Sequence, residues 1–212
     1  MGQITISFFD NACFLLKTPE TNILVDPGLS KKQLDEIDYD YVVVSHGHSD
    51  HAMNLSSVKV PIHSNKYVAK FKSTDVVIEG GREFKLGDVM ITPVATFNHP
   101  NLLQRNALYD AVMYPISKVR RCGDNYGFIF QTCGYTIYYT SDTMYDKYLF
   151  DNIESQYNPD VILYNAERSL PLVPRSIMGL EEAEQLRWSF PGKIIGMHTP
   201  LSARTVREIS LD

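Results

Sequence analysis

The segment VVVSHGHSDHAMN, Val42 to Asn54, constrains this chain more than any other. A run of β-branched residues reads as a strand of the fully buried type. It breaks directly into His46, His48, Asp50 and His51. Six histidines occur in 212 residues, and half of them stand here. Imidazole nitrogen and carboxylate oxygen suit zinc, iron or manganese, and the lack of cysteine argues against a purely structural zinc site. Four donors on one tight strand-to-helix turn converge poorly on a single ion. Two ions sharing the turn is the easier arrangement. Ser49 or Asp50 is placed to cap the short helix that follows.

Three distant positions match this cluster in character. His99 ends a long predicted strand in DVMITPVATFNH, Asp142 ends the second run of NYGFIFQT-CG-YTIYYTSD, and His198 ends KIIGMH. Each is a ligand-type residue at the C-terminal end of a predicted strand, where side chains from different strands can meet at one sheet edge. The remaining histidine, His63, follows KVPI near a strand end and reads as a structural or surface residue, with a place lining the cleft as the alternative. Tyr135, Tyr138 and Tyr139 read as ordinary strand residues, and Trp188 in LEEAEQLRWSF as helix packing against a sheet.

QITISFF, CFLLKT and NILVDPG are strand-like runs separated by turn residues. KKQLDEIDY has weak helical spacing, and SNKYVAKF reads as a helix capped by Ser64 or Asn65. YDKYLFDNIESQ and GLEEAEQLRWSF read as further helices, and the segment beyond KIIGMH as a helical tail. Strands in blocks with helices between them predict a mixed α and β layered fold, two sheets covered by helices on their outer faces. No repeat and no Gly/Ser/Pro-rich linker divides the chain, which predicts one domain over residues 1–212.

Residues 100–124 keep neither period and follow His99 directly, so they are expected to form a lid or specificity element. This stretch holds Arg105, Lys118, Arg120 and Arg121, and a second proline-marked loop holds Arg168. Such guanidinium groups can clamp an anionic substrate bidentately. A solvated basic stretch or an oligomer contact is the alternative.

Charge and hydropathy limit the partners. With 20 basic against 25 acidic residues, a net charge of −5 offers no electrostatic footprint for nucleic acid. No apolar run approaches the ~20 residues that cross a bilayer, and MGQITISFFD lacks the basic flank and apolar core of a signal peptide. Three cysteines without a CxxC suggest a reducing cytoplasm. The expected partner is a small molecule, with neither membrane nor nucleic acid.

HGHSDH matches the HxHxDH signature of the metallo-β-lactamase superfamily, and FNH, SDT and GMH follow in the order of its remaining ligand motifs. NACFLLKTPETNILVDPG, YGFIFQTCGYTIYYTSDT and PDVILYN…MGLEEAEQL…KIIGMH resemble segments of its ascorbate-phosphate lactonase-like hydrolases. The resemblance covers nearly the whole chain. It implies a four-layered αββα sandwich with the site at one edge of the two sheets. It also implies two divalent cations, zinc first with manganese or iron as alternatives. His46, His48 and His99 would hold one, Asp50, His51 and His198 the other, and Asp142 would bridge both.

Three departures stand beside this match. Ser141 replaces the glycine of the usual Gly-Asp-Thr, Thr199-Pro200 follows the last histidine where that branch commonly has an aromatic, and Asn11 stands where it often has His. None removes a ligand. His48 stands where oxygen- or nitric-oxide-reducing members carry Glu, which favours hydrolysis. The expected function is a hydrolase in which hydroxide held between two cations attacks a small anionic ester or lactone. Asp50, besides binding metal, would orient that hydroxide or pass a proton to the leaving group. The alternatives are a phosphodiesterase or nuclease of the same superfamily, and a non-enzymatic binding protein on the same scaffold.

Overall fold

A strand sends successive side chains to opposite faces, and this sorting builds the layers. The computed structural model describes residues 2–72, 75–96, 124–167, 177–198 and 207–211. In β3 (Asn22–Val25) and β4 (Tyr41–Val44), Ile23, Val25 and Val43 join the largest apolar cluster, to which both sheets contribute. Their neighbours Leu24, Val42 and Val44 pack instead with Leu34 of α1 (Lys31–Asp35), Ala52 of α2 (Ser49–Ala52) and Val68 of α3 (Lys66–Lys72). In the second sheet, Ile137 and Tyr139 of β10 (Tyr135–Tyr139) face the shared core. Tyr138 packs outward with Phe150 of α4 (Lys147–Tyr157) and Leu186 of α5 (Leu180–Ser189). The order is helix, sheet, sheet, helix: the αββα sandwich.

The first sheet runs β14 (Glu208–Leu211), β1 (Ile4–Phe8), β2 (Phe14–Lys17), β3, β4, β5 (Ile62–Ser64), β6 (Val76–Val77). The second runs β12 (Met178–Gly179), β11 (Val161–Glu167), β10, β9 (Asn125–Thr132), β8 (Val89–Thr96), β7 (Phe84–Leu86), with β13 (Lys193–Met197) also on β11. β3, β4, β5 and β6 pair in parallel, as β10, β11 and β13 do. Parallel neighbours end at the same sheet edge, so Asp26, Ser45 and His46 leave one sheet together, and Asp142 and His198 leave the other, beside Asn165 near the end of β11.

Local chemistry explains most boundaries. Ser30 and Gln33 form a reciprocal cap on α1. Asn65, not Ser64, caps α3, its Oδ1 accepting from the Tyr67 and Val68 amides at 2.9 and 2.8 Å. Neither Ser49 nor Asp50 caps α2: His48 holds that position with no side-chain cap, because its ring is turned toward His46. Cys133 and Gly134, both at positive φ (51° and 85°), turn the β9–β10 hairpin.

Two expectations are corrected. The end of the chain is not helical over its described part: Glu208–Leu211 is β14, antiparallel to β1, with Ile209 and Leu211 buried and Glu208 and Ser210 exposed. The open edge of β1 supplies the hydrogen bonds, and alternation supplies the apolar face. Trp188 does not pack on a sheet; it is 89% exposed. Ala183 and Leu186 set the rotation of α5, and a residue two beyond Leu186 points away. The expected lid at 100–124 lies outside the described residues apart from Asp124. Among the described residues no helix is long and apolar enough to cross a membrane.

Candidate metal centre

Six of the seven predicted ligands fall among the described residues, and the fold brings them together; His99 lies outside. His46 Nε2 stands 2.8 Å from His48 Nδ1 and 3.5 Å from Asp142 Oδ2. His51 Nε2 stands 3.3 Å from Asp142 Oδ1 and 3.7 Å from Asp50 Oδ2, and His198 Nε2 is 3.0 Å from Asp50 Oδ2. The side chains form two groups, His46–His48–Asp142 and Asp50–His51–Asp142–His198, with ligand atoms in each within 4.8 Å of one another. Asp142 belongs to both, offering a different oxygen to each.

Beneath them lies a buried network. Asp26, which has no exposed surface, accepts from the Ser45 amide (2.7 Å), Ser45 Oγ (2.7 Å), His51 Nδ1 (2.8 Å) and Tyr139 OH (2.6 Å). Hydrogen counting then sets the histidines. His51 gives its Nδ1 proton to Asp26, so Nε2 is the lone pair in the neutral ring. Ser45 has one hydroxyl hydrogen, donated to Asp26, so toward His46 Nδ1 at 3.0 Å it accepts. His46 therefore also presents an Nε2 lone pair. One carboxylate orients an imidazole in each group.

The buried His51 Nε2 is the decisive observation. It is fully buried, has no hydrogen-bond partner and faces two carboxylate oxygens. A neutral ring nitrogen and two carboxylate oxygens at such spacing call for a positive charge among them. A proton on Nε2 supplies it in the metal-free arrangement, and a bound cation would supply it in its place. A cation suited to nitrogen and oxygen donors meets that need, so the residues present fit a divalent metal.

Protonation in the metal-free arrangement reports the same field. Burial opposes charge on His51 and Asp142, yet Asp142 and Asp26 hold His51 well above its ordinary range, and His51 and His46 hold Asp142 well below its own. Burial likewise opposes ionisation of Asp50, but the His198 hydrogen bond and the His51 charge bring it down to about 2. His198 is raised, burial being overcome by Asp50 and Asp142. Burial and then His46 push His48 down to about 4, leaving a neutral imidazole at neutral pH. His46 and His51 are wholly buried, whereas the Asp50 and His198 side chains are 36% and 23% exposed. The open mouth is theirs.

Backbone strain gathers at the same edge. Asp26, Ser141 and His198 adopt left-handed φ values of 47°, 55° and 65°, each costing on the order of 1–3 kcal/mol in a non-glycine residue. Ser141 occupies its glycine-like position with its hydroxyl donating to Asn125 Oδ1 at 3.0 Å, and Asn125 in turn donates to the Asp142 carbonyl. The His198 amide donates to the Asn11 carbonyl at 3.2 Å.

A family model described as the β-lactamase superfamily domain matches residues 5–195. The chain belongs to the metallo-β-lactamase superfamily. A UPF0173 metal-dependent hydrolase of Thermoplasma acidophilum is 28% identical over 204 residues, covering 93% of this chain and 84% of the relative. A second, of Methanosarcina mazei, is 27% identical over 214 residues, with coverage of 93% and 84%. The metallo-β-lactamase fold protein YhfI of Bacillus subtilis superposes with a TM-score of 0.69 at 16% identity, covering 95% of this chain and 88% of that one. A structure from Veillonella parvula, described as a possible metal-dependent hydrolase, gives 0.72 at 20% identity, covering 93% and 85%. Both structures share the metallo-β-lactamase fold of this chain.

Within this superfamily frame, several supporting residues escaped the sequence reading. Tyr139 is not an ordinary strand residue: its hydroxyl reaches Asp26 across the two sheets. Alternation was the available signal, since a tyrosine on the core face must find a partner for its hydroxyl. Ser45, Asn125 and Asn165 carried no signal beyond standing next to a strand end. Arg105, Lys118, Arg120, Arg121 and Arg168 lie outside the described residues.

Proposed function

We propose that the chain is a metal-dependent hydrolase that binds two divalent cations and opens a small anionic ester or lactone. The partnerless His51 Nε2, aimed at Asp142 and Asp50, supports this reading most directly. When bound, a pair of such cations lowers the pKa of water toward neutrality and polarises a carbonyl oxygen. His46, His48 and Asp142 would hold one, with His99 as the sequence-based fourth ligand; Asp50, His51, Asp142 and His198 would hold the other. Zinc suits the donor set, with manganese or iron as alternatives.

The chain's own residues supply the rest. Asp26 and Ser45 present the Nε2 atoms of His51 and His46 outward without reorganisation. Asp50 is ionised through the neutral range and stands at the mouth beside His198, where it can take a proton and hand it to a leaving group. Anionic preference comes from Arg105, Arg120, Arg121 and Arg168, a sequence-level argument. The soluble, small-molecule reading follows the same composition argument, with cytoplasm as the expected compartment.

Elemental analysis after reconstitution, followed by a panel of lactones, thioesters and phosphodiesters, tests the proposal. Two ions per chain and preferential lactone or ester cleavage are expected. Fewer than two ions per chain would sink the two-cation reading, and cleavage of phosphodiesters alone would move the chain to the phosphodiesterase reading. His48→Ala should lose metal and hydrolysis together.

A further inference from the structure

Asn165 stands near the end of β11 and is completely buried. Its Nδ2 donates to Asp142 Oδ1 at 2.8 Å and to Tyr139 OH at 3.3 Å. Both partners can only accept. Asp142 is a carboxylate, and the Tyr139 hydrogen is committed to Asp26 at 2.6 Å. Turning the amide over would create two acceptor–acceptor contacts, so its orientation is forced, even though its buried Oδ1 is left without a partner. Strand cohesion does not require this amide: β10 and β11 are already joined by backbone pairing, including Thr140 N to the Leu163 carbonyl at 2.9 Å.

The oxygen that Asn165 grips is the one facing His51, while Asp142 Oδ2 faces His46. Among the described residues, Asn165 is the only donor other than histidine to either carboxylate oxygen. Without it the carboxylate is free to rotate and give both oxygens to one cation. Resting on the two-cation reading above, we propose that Asn165, steered by Tyr139, is the positioning residue that keeps Asp142 shared between the two pockets. It thereby governs retention of the cation at Asp50, His51 and His198.

Asn165→Leu, similar in volume and without donors, tests this by competitive Zn²⁺ titration, by Co²⁺ absorption per ion added, and by thermal midpoints with and without metal. One ion should bind as in the wild type and the second about 10- to 100-fold more weakly, with its Co²⁺ bands lost. The metal-induced rise in midpoint should shrink more than the metal-free midpoint falls. Equal weakening of both ions, with both midpoints falling together, would mark a merely structural role and overturn the proposal. So would two ions at unchanged affinity. Tyr139→Phe deletes one oxygen and frees the amide to swing, so it decides the matter if Asn165→Leu does not fold. The same selective weakening, several-fold, is expected there, and unchanged affinity would overturn the proposal. A wild type that takes up fewer than two ions fails the two-cation reading itself, whereas two ions at unchanged affinity in both wild type and variants fails only the Asn165 assignment.

Discussion

Asp26 receives four donors in a space without solvent, and each depends on its negative charge. Asp26→Asn keeps the shape but turns one end of the group into a donor facing donors, and His51 loses the anion that sets its tautomer. A loss of about 3 kcal/mol in urea unfolding and a fall of about 10- to 100-fold in metal affinity are expected; unchanged affinity would disprove the tautomer argument. His63 acts away from the site. Its ring lies flat on Phe84 (5.4 Å, 1°) and edge-on to Tyr41, and its Nδ1 has no partner. Burial lowers its pKa below the ordinary 6.5, opposed by a Val42 backbone hydrogen bond and by Asp75. The unfolded chain therefore binds a proton at His63 before the folded one does. Its stability contribution is full above about pH 6.5 and declines as pH falls toward the lower folded value. The stability difference between metal-saturated wild type and His63→Phe should thus shift toward the variant on acidification, measured by urea midpoints from about pH 8 to about pH 5; a pH-independent difference would contradict it.

At the scale of elements, α2 is four residues long and carries two predicted ligands, too short to hold its shape alone. Gly28 holds it by close approach: a Cβ there would lie 1.6 Å from the Asp50 carbonyl oxygen, backbone against backbone. Gly28→Ala should displace α2, cost on the order of 2 kcal/mol and remove one ion in titration. In α5, Leu186→Ala is expected to cost about 2–4 kcal/mol because Leu186 fills the outer core. Trp188→Glu should stay within about 0.5 kcal/mol. Equal losses from the two substitutions would mean that α5 is rotated differently.

Across the whole molecule, the candidate ligands come from both sheets. His46, His48, Asp50 and His51 follow β4 of the first; Asp142 and His198 follow β10 and β13 of the second. A cation shared between them ties the sheets together, and binding the folded state alone adds about 4 kcal/mol at a thousandfold excess over Kd. Thermal unfolding with chelator and with saturating Zn²⁺ should therefore differ by on the order of 10 °C for a chain of this size. Identical midpoints would argue against a cation spanning the two sheets.

Much of this was legible without coordinates because the signals are local. Histidine and aspartate are conspicuous at the ends of apolar runs, so the ligand types and their strand-end positions could be read directly. Short apolar runs such as NILV, YVVV and YTIYY marked the strands, and their grouping in blocks with helices between them indicated the layers. Partnership was not local. Tyr139 and Asp26 are 113 positions apart, and Asp50 and His198 are 148 apart. Whether such groups meet depends on strand register and on how two sheets stack, neither of which leaves a trace in a short window. The C-terminal strand shows the same limit, since its helical expectation yielded to an open edge of β1 that only the folded sheet provides. The sequence by itself determined which side chains could hold a cation. The tertiary structure decided which buried groups aim them, because hydrogen bonds among buried groups are set by packing across sheets and not by neighbours along the chain.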